Sequence, residues 1–563
     1  MIMMPRTIIR NLDTLKSERS LLDRKYEEIS SFACPEKCNS FFGAEPQEGE
    51  SRPPQILIDN VSEANSIFAR GLYAQLCPPG VQFFQYSPAD EKLAKISSVR
   101  NFFGSASTKV FELAAGSNFA TEFSEALEDF GWAGIINLSV ERDPMRVYKF
   151  RNYHVSQYYI QENSDKVIDT VYREFKLSAR QIADTYNLPG DRIPKKIAAD
   201  AKDDNIAIHG RKYTLINAVY PNKSIKIGKD GRAELGNSNK PWKSVTVCRE
   251  CPETIRDSGF DYLPYTVARY EKKANSMYGF SPGLRILRTA KLLNAVTRTL
   301  LKTAQKQIDP PVLLDSRAYK STTPASFCNH PGALNYYDGS GNPPQFAPVP
   351  GNVAIGIDLM QKYENAINNA YMVNLFQMLQ QLAENTNRDK TAFEVMQLVS
   401  EKHSLIIPVV SRILEEGLQP LFLKLFQIAL EDGLLGELPV EFEGRLPAVS
   451  VKFDSPLALA AQRSKIKAVF DSVNQLAGLA QIDGGRCFDI LNTDKIAEDI
   501  MESGGTDPAY LRSKSEIEQI RAERQQAQEQ QAVQQQMVDL AKSQDLMKKA
   551  EAGSAVEAMT NAR

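Results

Sequence analysis

The chain has 563 residues, of which 42% are hydrophobic and 24% charged, as in a soluble globular protein of three or four domains. Its formal net charge of −2 excludes the overall basic excess of a general nucleic-acid-binding protein. No apolar run reaches the ~18 residues that span a bilayer, and we expect no signal peptide in the charged N-terminal segment. Seven cysteines, a sparse and odd number, favour a reducing compartment without structural disulfides.

The first 276 residues predict a mixture of helices and strands. Apolar residues recur at helical spacing in four segments, 5–33, 59–76, 91–115 and 118–133. Apolar residues then alternate with a period near two over 135–172 and 206–270, which predicts strands and hairpins, with a short helix at 177–186 between them.

A long helix is predicted from Tyr278 to Ile308. Ser281 can cap its N-terminus, and Pro282 fits the first helical position, where a missing N–H costs nothing. Five apolar residues fall within an arc of about 120°: Ile286, Leu292, Leu293, Val296 and Leu300. Five basic residues fall within about 80° on the opposite side: Arg288, Lys291, Arg298, Lys302 and Lys306. Such a basic face is either solvated, which charge pattern alone favours, or in contact with a polyanion.

A small module and a second long helix follow. Residues 310–351 are rich in Pro, Gly and Asn, and they carry five aromatic residues that favour a contact surface: Tyr319, Phe327, Tyr336, Tyr337 and Phe346. The second helix is predicted from Val353 to about Ala383. The two long helices therefore bracket the module as a hairpin does.

The remaining chain is predicted to be mainly helical. The second helix breaks at Asn385–Lys390, and Thr391 and Glu394 form a capping box for the next helix. That helix is expected to bend at Pro408 and Pro420 and to end near Gly433. Further helices are predicted at 457–481 and 495–502. The Gln-rich segment 515–549 would be marginal as an isolated helix, so it either packs against its own copies or is a disordered tail.

No combination of residues argues for catalysis. Cys248 and Cys251 have metal-ligand spacing, but the similar pair Cys34 and Cys38 lies more than 200 residues away, which disfavours a four-cysteine zinc site. The sequence contains neither a phosphate-binding P-loop nor a Gly-x-Ser-x-Gly turn. We therefore predict a protein that is not an enzyme and needs no cofactor.

Short segments spread over the chain resemble the portal proteins, or head-to-tail connectors, of T7-like short-tailed bacteriophages. They include Ala69-Arg70-Gly71-Leu72, Asp257-Ser258-Gly259-Phe260, Tyr278-Gly279-Phe280-Ser281-Pro282, Asp309-Pro310-Pro311, Ser455-Pro456-Leu457-Ala458 and Ser513-Lys514-Ser515-Glu516. Each segment is weak alone, and their shared order from about residue 5 to 525 carries the resemblance. Gln82 departs from the pattern, where the family often has Trp.

The resemblance implies a predominantly helical α+β portal fold in a cyclic ring of about twelve subunits. It assigns 1–276 to a wing, 277–308 to a stem helix, 309–352 to a clip, 353–384 to a second stem helix and 385–453 to a tunnel loop and wing helix. Residues 454–512 would form the crown, and 513–563 a C-terminal helix, barrel or disordered tail.

The same resemblance implies the function and the partners. The ring would sit at one capsid vertex of the virion, after assembly in the host cytoplasm, and would channel double-stranded DNA during genome packaging and ejection. Partners would be the terminase large subunit, the tail adaptor, and the major capsid and scaffolding proteins, with no membrane. Channel candidates are the five basic residues together with Asn385, Asn387, Arg388 and Lys390, and the five aromatic residues of 310–351 are clip-interface candidates.

Two alternatives remain open at this point. One is a metal-dependent nucleic-acid enzyme that uses Cys248 and Cys251. The other is a structural scaffold built on a coiled C-terminus. The direction of the basic face, towards DNA or towards the capsid wall, is also open.

Overall fold

In the computed structural model, the described residues are 4–35, 37, 56–78, 80–94, 96–203, 205–224, 239–274, 276–310, 312–313, 345–346, 353–377, 407–442, 448–453, 496, 517, 519–527 and 530. The chain divides into two units. The first comprises Met1–Gln85, Ser107–Gly436 and Val451–Lys467. The second comprises Tyr86–Ala106, Glu437–Ser450 and Ala468–Arg563.

The described helices and strands confirm the mixed α+β class. The helices are α1 (Pro5–Ala33), α2 (Asn60–Leu76), α3 (Glu91–Ala94), α4 (Ser97–Ala115), α5 (Phe119–Ala133), α6 (Ala179–Thr185), α7 (Lys195–Ala201), α8 (Ile206–His209), α9 (Pro282–Ile308), α10 (Val353–Ala370) and α11 (Gln419–Glu431). The strands are β1 (Phe84–Pro88), β2 (Ile135–Asp143), β3 (Val147–Asn152), β4 (Tyr158–Glu162), β5 (Ile168–Ser178), β6 (Lys212–Pro221), β7 (Trp242–Cys248), β8 (Thr254–Phe260), β9 (Tyr265–Arg269), β10 (Val312–Leu313), β11 (Gln345–Phe346) and β12 (Val449–Phe453).

A five-stranded antiparallel sheet, ordered β4-β5-β6-β7-β8, is covered on both faces by helices. Neighbouring residues of a strand point to opposite faces, so Ile216 faces Leu12 of α1 while Leu215 faces Ile182 of α6. Both faces are therefore buried, which explains why the apolar alternation of this region is imperfect.

A three-stranded antiparallel sheet, ordered β3-β2-β9, lies beside α5 and α11. Phe422 of α11 packs on Phe84 with 4.2 Å between ring centroids, and the Tyr148 hydroxyl of β3 donates to the Leu425 carbonyl at 2.8 Å. The polar contact holds α11 on the sheet, and the aromatic contact holds it against β1.

Contacts between segments that are distant in the sequence hold the second unit together. The Ala89 N–H donates to the Ala448 carbonyl at 2.8 Å, and the Ser98 hydroxyl donates to Glu441 at 2.6 Å. The ring of Phe103 meets Phe442 edge to face at 6.2 Å.

The N-terminus of α9 is fixed in the core as the sequence predicts. The fully buried Ser281 hydroxyl accepts from the Leu284 N–H at 2.8 Å and donates to the Trp132 carbonyl at 2.6 Å. Just before it, a Cβ on Gly279 would lie 2.0 Å from the Gly134 carbonyl oxygen, so only glycine permits this crossing of two backbones. The cap therefore also ties α9 to the end of α5.

Two predicted helices have different bounds in the structure. The helix predicted over 91–115 is divided into α3 and α4, and the second helix begins at Ser97, where a short polar side chain favours a helix start. The second long helix ends at Ala370 instead of near Ala383, because Met372 has a φ of 55°. This turn places Tyr371 in the core against Phe68, 5.9 Å between ring centroids. Residues 373–377 are again helical.

The helical path from 407 to 431 contains a π-helical turn, Ile413–Leu418. Pro420 has no N–H to donate to the residue-416 carbonyl, so a regular α-turn cannot be completed there. The helix predicted to bend or break at Pro420 therefore continues through it with a π-turn just before, and Gly433, with a φ of 69°, follows the end of α11 as predicted. Thr391 and Glu394 lie outside the described residues, as do the helices predicted at 457–481 and all but one residue of 495–502.

Lys424 of α11 is a fully buried amine. Its Nζ donates to Thr266 Oγ1 at 2.5 Å and to the Tyr265 carbonyl at 3.3 Å. Burial lowers the pKa of this amine to about 7, because the charged form loses its hydration.

This pKa predicts a pH-dependent contribution to stability. A lysine of lowered folded-state pKa binds fewer protons in the folded protein than in the unfolded one, so its contribution rises as pH increases from about 7 to about 10. Lys424→Met should abolish this contribution. We expect the Tm difference, variant minus parent, measured by calorimetry, to be largest near pH 7 and to decrease towards pH 10. A Tm difference that does not change with pH would contradict the buried neutral amine.

Candidate nucleic-acid interface

Helices α9 and α10 pack antiparallel as a helical hairpin, as the sequence predicts. Gly356 near the start of α10 meets Leu300 near the end of α9, and a Cβ at Gly356 would lie 2.4 Å from a Leu300 methyl. At the other end, the Tyr371 hydroxyl lies 2.9 Å from where a Cβ on Gly283 would be. β10 and β11 pair antiparallel, with Val312 opposite Phe346, so the chain leaves and re-enters the hairpin at one place.

The two ends of α9 have different surroundings. Its N-terminal part, residues 282–293, is buried on several sides, with Leu284, Ile286, Leu287, Ala290 and Leu293 in the core. Beyond Leu293 no residue of α9 is fully buried. Val296 and Leu300 remain half-buried on the side of α10.

One residue of the predicted apolar arc is exposed, although the prediction placed it on the buried side. Leu292 is 51% exposed, whereas Leu287 and Ala290 are buried without having been predicted. The reason is that α9 has no single partner along its length: the core surrounds its beginning, and α10 covers only one side of its remainder.

The five predicted basic residues of α9, which we call the basic edge, are all exposed: Arg288, Lys291, Arg298, Lys302 and Lys306. With the direction of Leu300 towards α10 as reference, they lie roughly 160–240° around the helix, on the side away from α10. Lys302 and Lys306 also line a shallow depression at the end of α9 with Gln305, Ile308 and Asp309.

The members of the basic edge are not electrostatically equivalent. Lys291 Nζ lies 2.6 Å from Glu28 of α1, and both side chains are about half exposed. Such an exposed pair adds little stability, but it offsets the charge of Lys291. The exposed Arg285, which the sequence did not single out, is likewise paired with Glu271 at 2.7 Å. Among the described residues Arg288, Lys302 and Lys306 form no ion pair, so the uncompensated charge of the basic edge lies at these three positions.

Apolar residues are exposed on two opposite sides of the helical hairpin, which we call its flanks. On α9, Leu301 and Ile308 lie on one flank and Leu292 on the other, roughly 80–100° from the direction of α10; they are 48%, 84% and 51% exposed. On α10, Ile357 lies on one flank and Ile355 and Leu359 on the other, and all three are exposed. Apolar residues concentrated on an exposed helix surface indicate a contact with another protein.

The outer side of α10 is polar without a basic excess. Asp358, Lys362, Asn365 and Asn369 are exposed on the side turned away from α9. The helical hairpin thus has one basic edge, one mixed polar edge and two apolar flanks.

The remaining predicted site residues fall mostly outside the described residues. This holds for Asn385, Asn387, Arg388 and Lys390 and for Tyr319, Phe327, Tyr336 and Tyr337. Phe346 of β11 is described, and it is 66% exposed, as a contact residue requires.

Cys248 lies in a buried environment at the end of β7. Burial raises its pKa to about 12, and its thiol donates to a Glu250 carboxylate oxygen at 3.4 Å. Across the described ranges, no group of three or more His, Cys, Asp or Glu side chains is placed to hold a metal ion. Within the same ranges, no helix is both long enough and apolar enough to span a membrane.

A family model described as bacteriophage head to tail connecting protein matches residues 6–511, nearly the whole chain. The chain belongs to this family. The connector is also 24% identical over 529 residues to the portal protein of Salmonella phage epsilon15, covering 92% of this chain and 90% of that protein. It is 25% identical over 521 residues to the probable portal protein of Bordetella phage BPP-1, with coverage of 91% and 89%. The predicted resemblance to phage portal proteins is confirmed.

Sequence reasoning on this connector found the basic edge and missed the flanks. A helical wheel of α9 alone shows Leu301 and Ile308 as scattered apolar positions. They become a surface only when the direction of α10 is known, because that direction separates the covered apolar residues from the exposed ones.

Proposed function

We propose that the protein is the portal of a bacteriophage, a closed ring at one capsid vertex through which double-stranded DNA enters and leaves. The observation that carries this proposal is the helical hairpin, with apolar flanks on opposite sides and a basic edge between them. Membership of the connector family and similarity to two portal proteins support the same role.

The two flanks favour a ring over a simple dimer. A two-fold dimer uses the same patch on both subunits, whereas two different patches on opposite sides produce head-to-tail contacts that close into rings. One flank presents Leu301, Ile308 and Ile357, and the other presents Leu292, Ile355 and Leu359. We infer that each flank meets the opposite flank of the next subunit, about twelve of which complete the circle.

The basic edge fits contact with phosphate better than reading of bases. From Arg288 to Lys306 it extends about 27 Å along the helix at 1.5 Å per residue, slightly less than one turn of B-DNA. Repeated in every subunit, it would provide a large sequence-independent positive field. In this arrangement α9 and α10 are the stem of the portal, and the basic edge faces the channel.

The partners and regions are proposed on the same basis. The terminase large subunit and then the tail adaptor would dock on the clip, 309–352, where Leu313 and Phe346 are exposed. Residues 1–276 would form the wing, 454–512 the crown, and the tunnel loop would lie near 385–390. Major capsid and scaffolding proteins would surround the ring in the virion, and the terminase would supply ATP hydrolysis.

Negative-stain electron microscopy of the purified protein tests the ring. We expect closed rings with a central hole, both for the full chain and for a chain truncated after Ser513. Monomers or filaments from the full chain would refute the portal assignment. Loss of rings only on truncation would instead favour a scaffold built on the Gln-rich C-terminus, of which residues 519–527 are helical and, apart from the half-buried Ile520, exposed.

A further inference from the structure

The helix over 407–431 changes its geometry where it crosses strand β9. Residues 407–412 are α-helical, Ile413–Leu418 form a π-turn, and α11 continues as an α-helix. A π-turn contains about one residue more than an α-turn. Such turns are rare in proteins, and those that occur often lie at functional sites.

One edge of β9 has no partner strand among the described residues. Within its sheet β9 pairs with β2, and the Tyr270 N–H donates to the Gly134 carbonyl at 2.9 Å. Because alternate residues of an antiparallel pair bond to the neighbour, Tyr265, Val267 and Arg269 direct their N–H and C=O groups to the other edge. An open edge of this kind can pair with a strand of another molecule.

Two side chains of the 407–431 helix cap that edge. At one end, Lys424 Nζ donates to the Tyr265 carbonyl at 3.3 Å. At the other, a Glu416 carboxylate oxygen accepts from the Arg269 backbone N–H at 3.1 Å, and the two oxygens accept from the Arg269 guanidinium at 2.9 Å each. Between them, a Cβ on Gly417 would lie 3.2 Å from the Ala268 Cβ, so the helix touches the strand along its length.

The Arg269 end of this contact is tied to other parts of the unit. Its guanidinium is nearly buried, binds Glu162 at the end of β4, and donates to the Met277 carbonyl at 3.3 Å. Lys272 binds the same Glu162 at 2.5 Å. Glu416 therefore docks on a side chain that is already held in place.

The π-turn aligns the two capping residues. In a regular α-helix, residues eight positions apart point about 80° away from each other, since each residue turns the helix by 100°. Glu416 and Lys424 are eight apart, so a regular helix would direct only one of them at β9. The segment from Glu416 to Leu418 is π-helical and turns less per residue than an α-helix, which reduces this angle and brings the two side chains closer to a common direction.

We propose that the π-turn sets the register of the 407–431 helix so that Glu416 and Lys424 together cap the open edge of β9 and keep it from pairing with a strand of another subunit. Both are positioning residues. Their role is to hold the helix on the strand and to satisfy the Tyr265 carbonyl and the Arg269 N–H near the two ends of the edge.

A pair of deletions tests the register. Deleting Gln419 in a Pro420→Ala background removes the additional residue and restores the N–H that a regular α-turn needs, so Glu416 stays aligned with Lys424, and we expect the Tm to change by less than about 3 °C relative to Pro420→Ala alone. Deleting Gln427 in α11 is the control, since it displaces the fully buried Ile428 and Ala429 and should lower the Tm by more than about 10 °C or prevent folding. Equal losses from the two deletions would overturn the proposal.

Hydrogen exchange of the intact protein tests the cap without any deletion. In Glu416→Ala the Arg269 amide should exchange at least about tenfold faster, whereas the Tyr270 amide, bonded to Gly134, should keep its protection. Unchanged exchange at Arg269, or equal acceleration at both amides, would refute the cap. The double variant Glu416→Ala/Lys424→Met should form larger species than the parent in sedimentation, and an unchanged size distribution would refute the protection of the edge.

Discussion

Leu301→Asp is expected to leave the protein as single subunits instead of rings. Leu301 is an exposed apolar residue on one flank of the helical hairpin, and in the proposed ring it is buried against the next subunit. A carboxylate buried there without a partner costs at least about 3 kcal/mol at each contact, roughly a hundredfold in each association constant. Size-exclusion chromatography with light scattering, together with electron microscopy, measures the change in assembly.

The matched control is Asn365→Asp, which adds the same charge on the polar edge of α10. We expect this variant to form rings in parental yield. Both variants should retain the circular dichroism of the parent subunit, because both positions are exposed in it. Rings of Leu301→Asp at parental yield would remove this flank from the subunit contact.

The triple variant Arg288→Gln/Lys302→Gln/Lys306→Gln is expected to form normal rings that package or retain little DNA. Neutralising one phosphate-binding side chain lowers the slope of log K against log salt by about 0.9, so neutralising three in a DNA-bound subunit should lower it by about 2.7. Binding of random-sequence duplex DNA to isolated rings over a range of salt measures that slope. Genome content per capsid measures the consequence in assembly.

Lys291→Gln is the control within the basic edge. Because Glu28 already offsets the charge of Lys291, the change in slope should be smaller than for Arg288, Lys302 or Lys306. If instead the triple variant packages normally but enters capsids poorly, the basic edge faces the capsid wall and the channel assignment is wrong.

The local parts of this fold are readable in the sequence. Ser281 and Pro282 specify the start of α9 because a cap and a first-turn proline act within a few residues. The bounds of α1, Pro5–Ala33, follow equally from apolar spacing.

The predictions that were wrong concern features that depend on contacts with residues far away in the chain. The end of α10 is set by burial of Tyr371 against Phe68, which lies more than 300 residues earlier in the chain. The local sequence around Ala370 does not indicate a helix end. The exposure of Leu292 depends on which helices surround α9 at each level. The π-turn reflects Pro420 together with the pairing of Glu416 with Arg269, 147 residues apart, and the sequence indicates only the proline.

The anchoring of α9 also has a mechanical consequence. The helix is about 40 Å long, its residues 282–293 are fixed in the core, and α10 covers one side of its C-terminal half. Because one end of α9 is fixed and the other is not, a sideways force displaces the C-terminal end most. In a closed ring the helical hairpins of neighbouring subunits would touch along their flanks, so bending one hairpin would require displacing the others. Stiffness at the far end of the hairpin is then a property of the assembled ring, and a single subunit does not possess it.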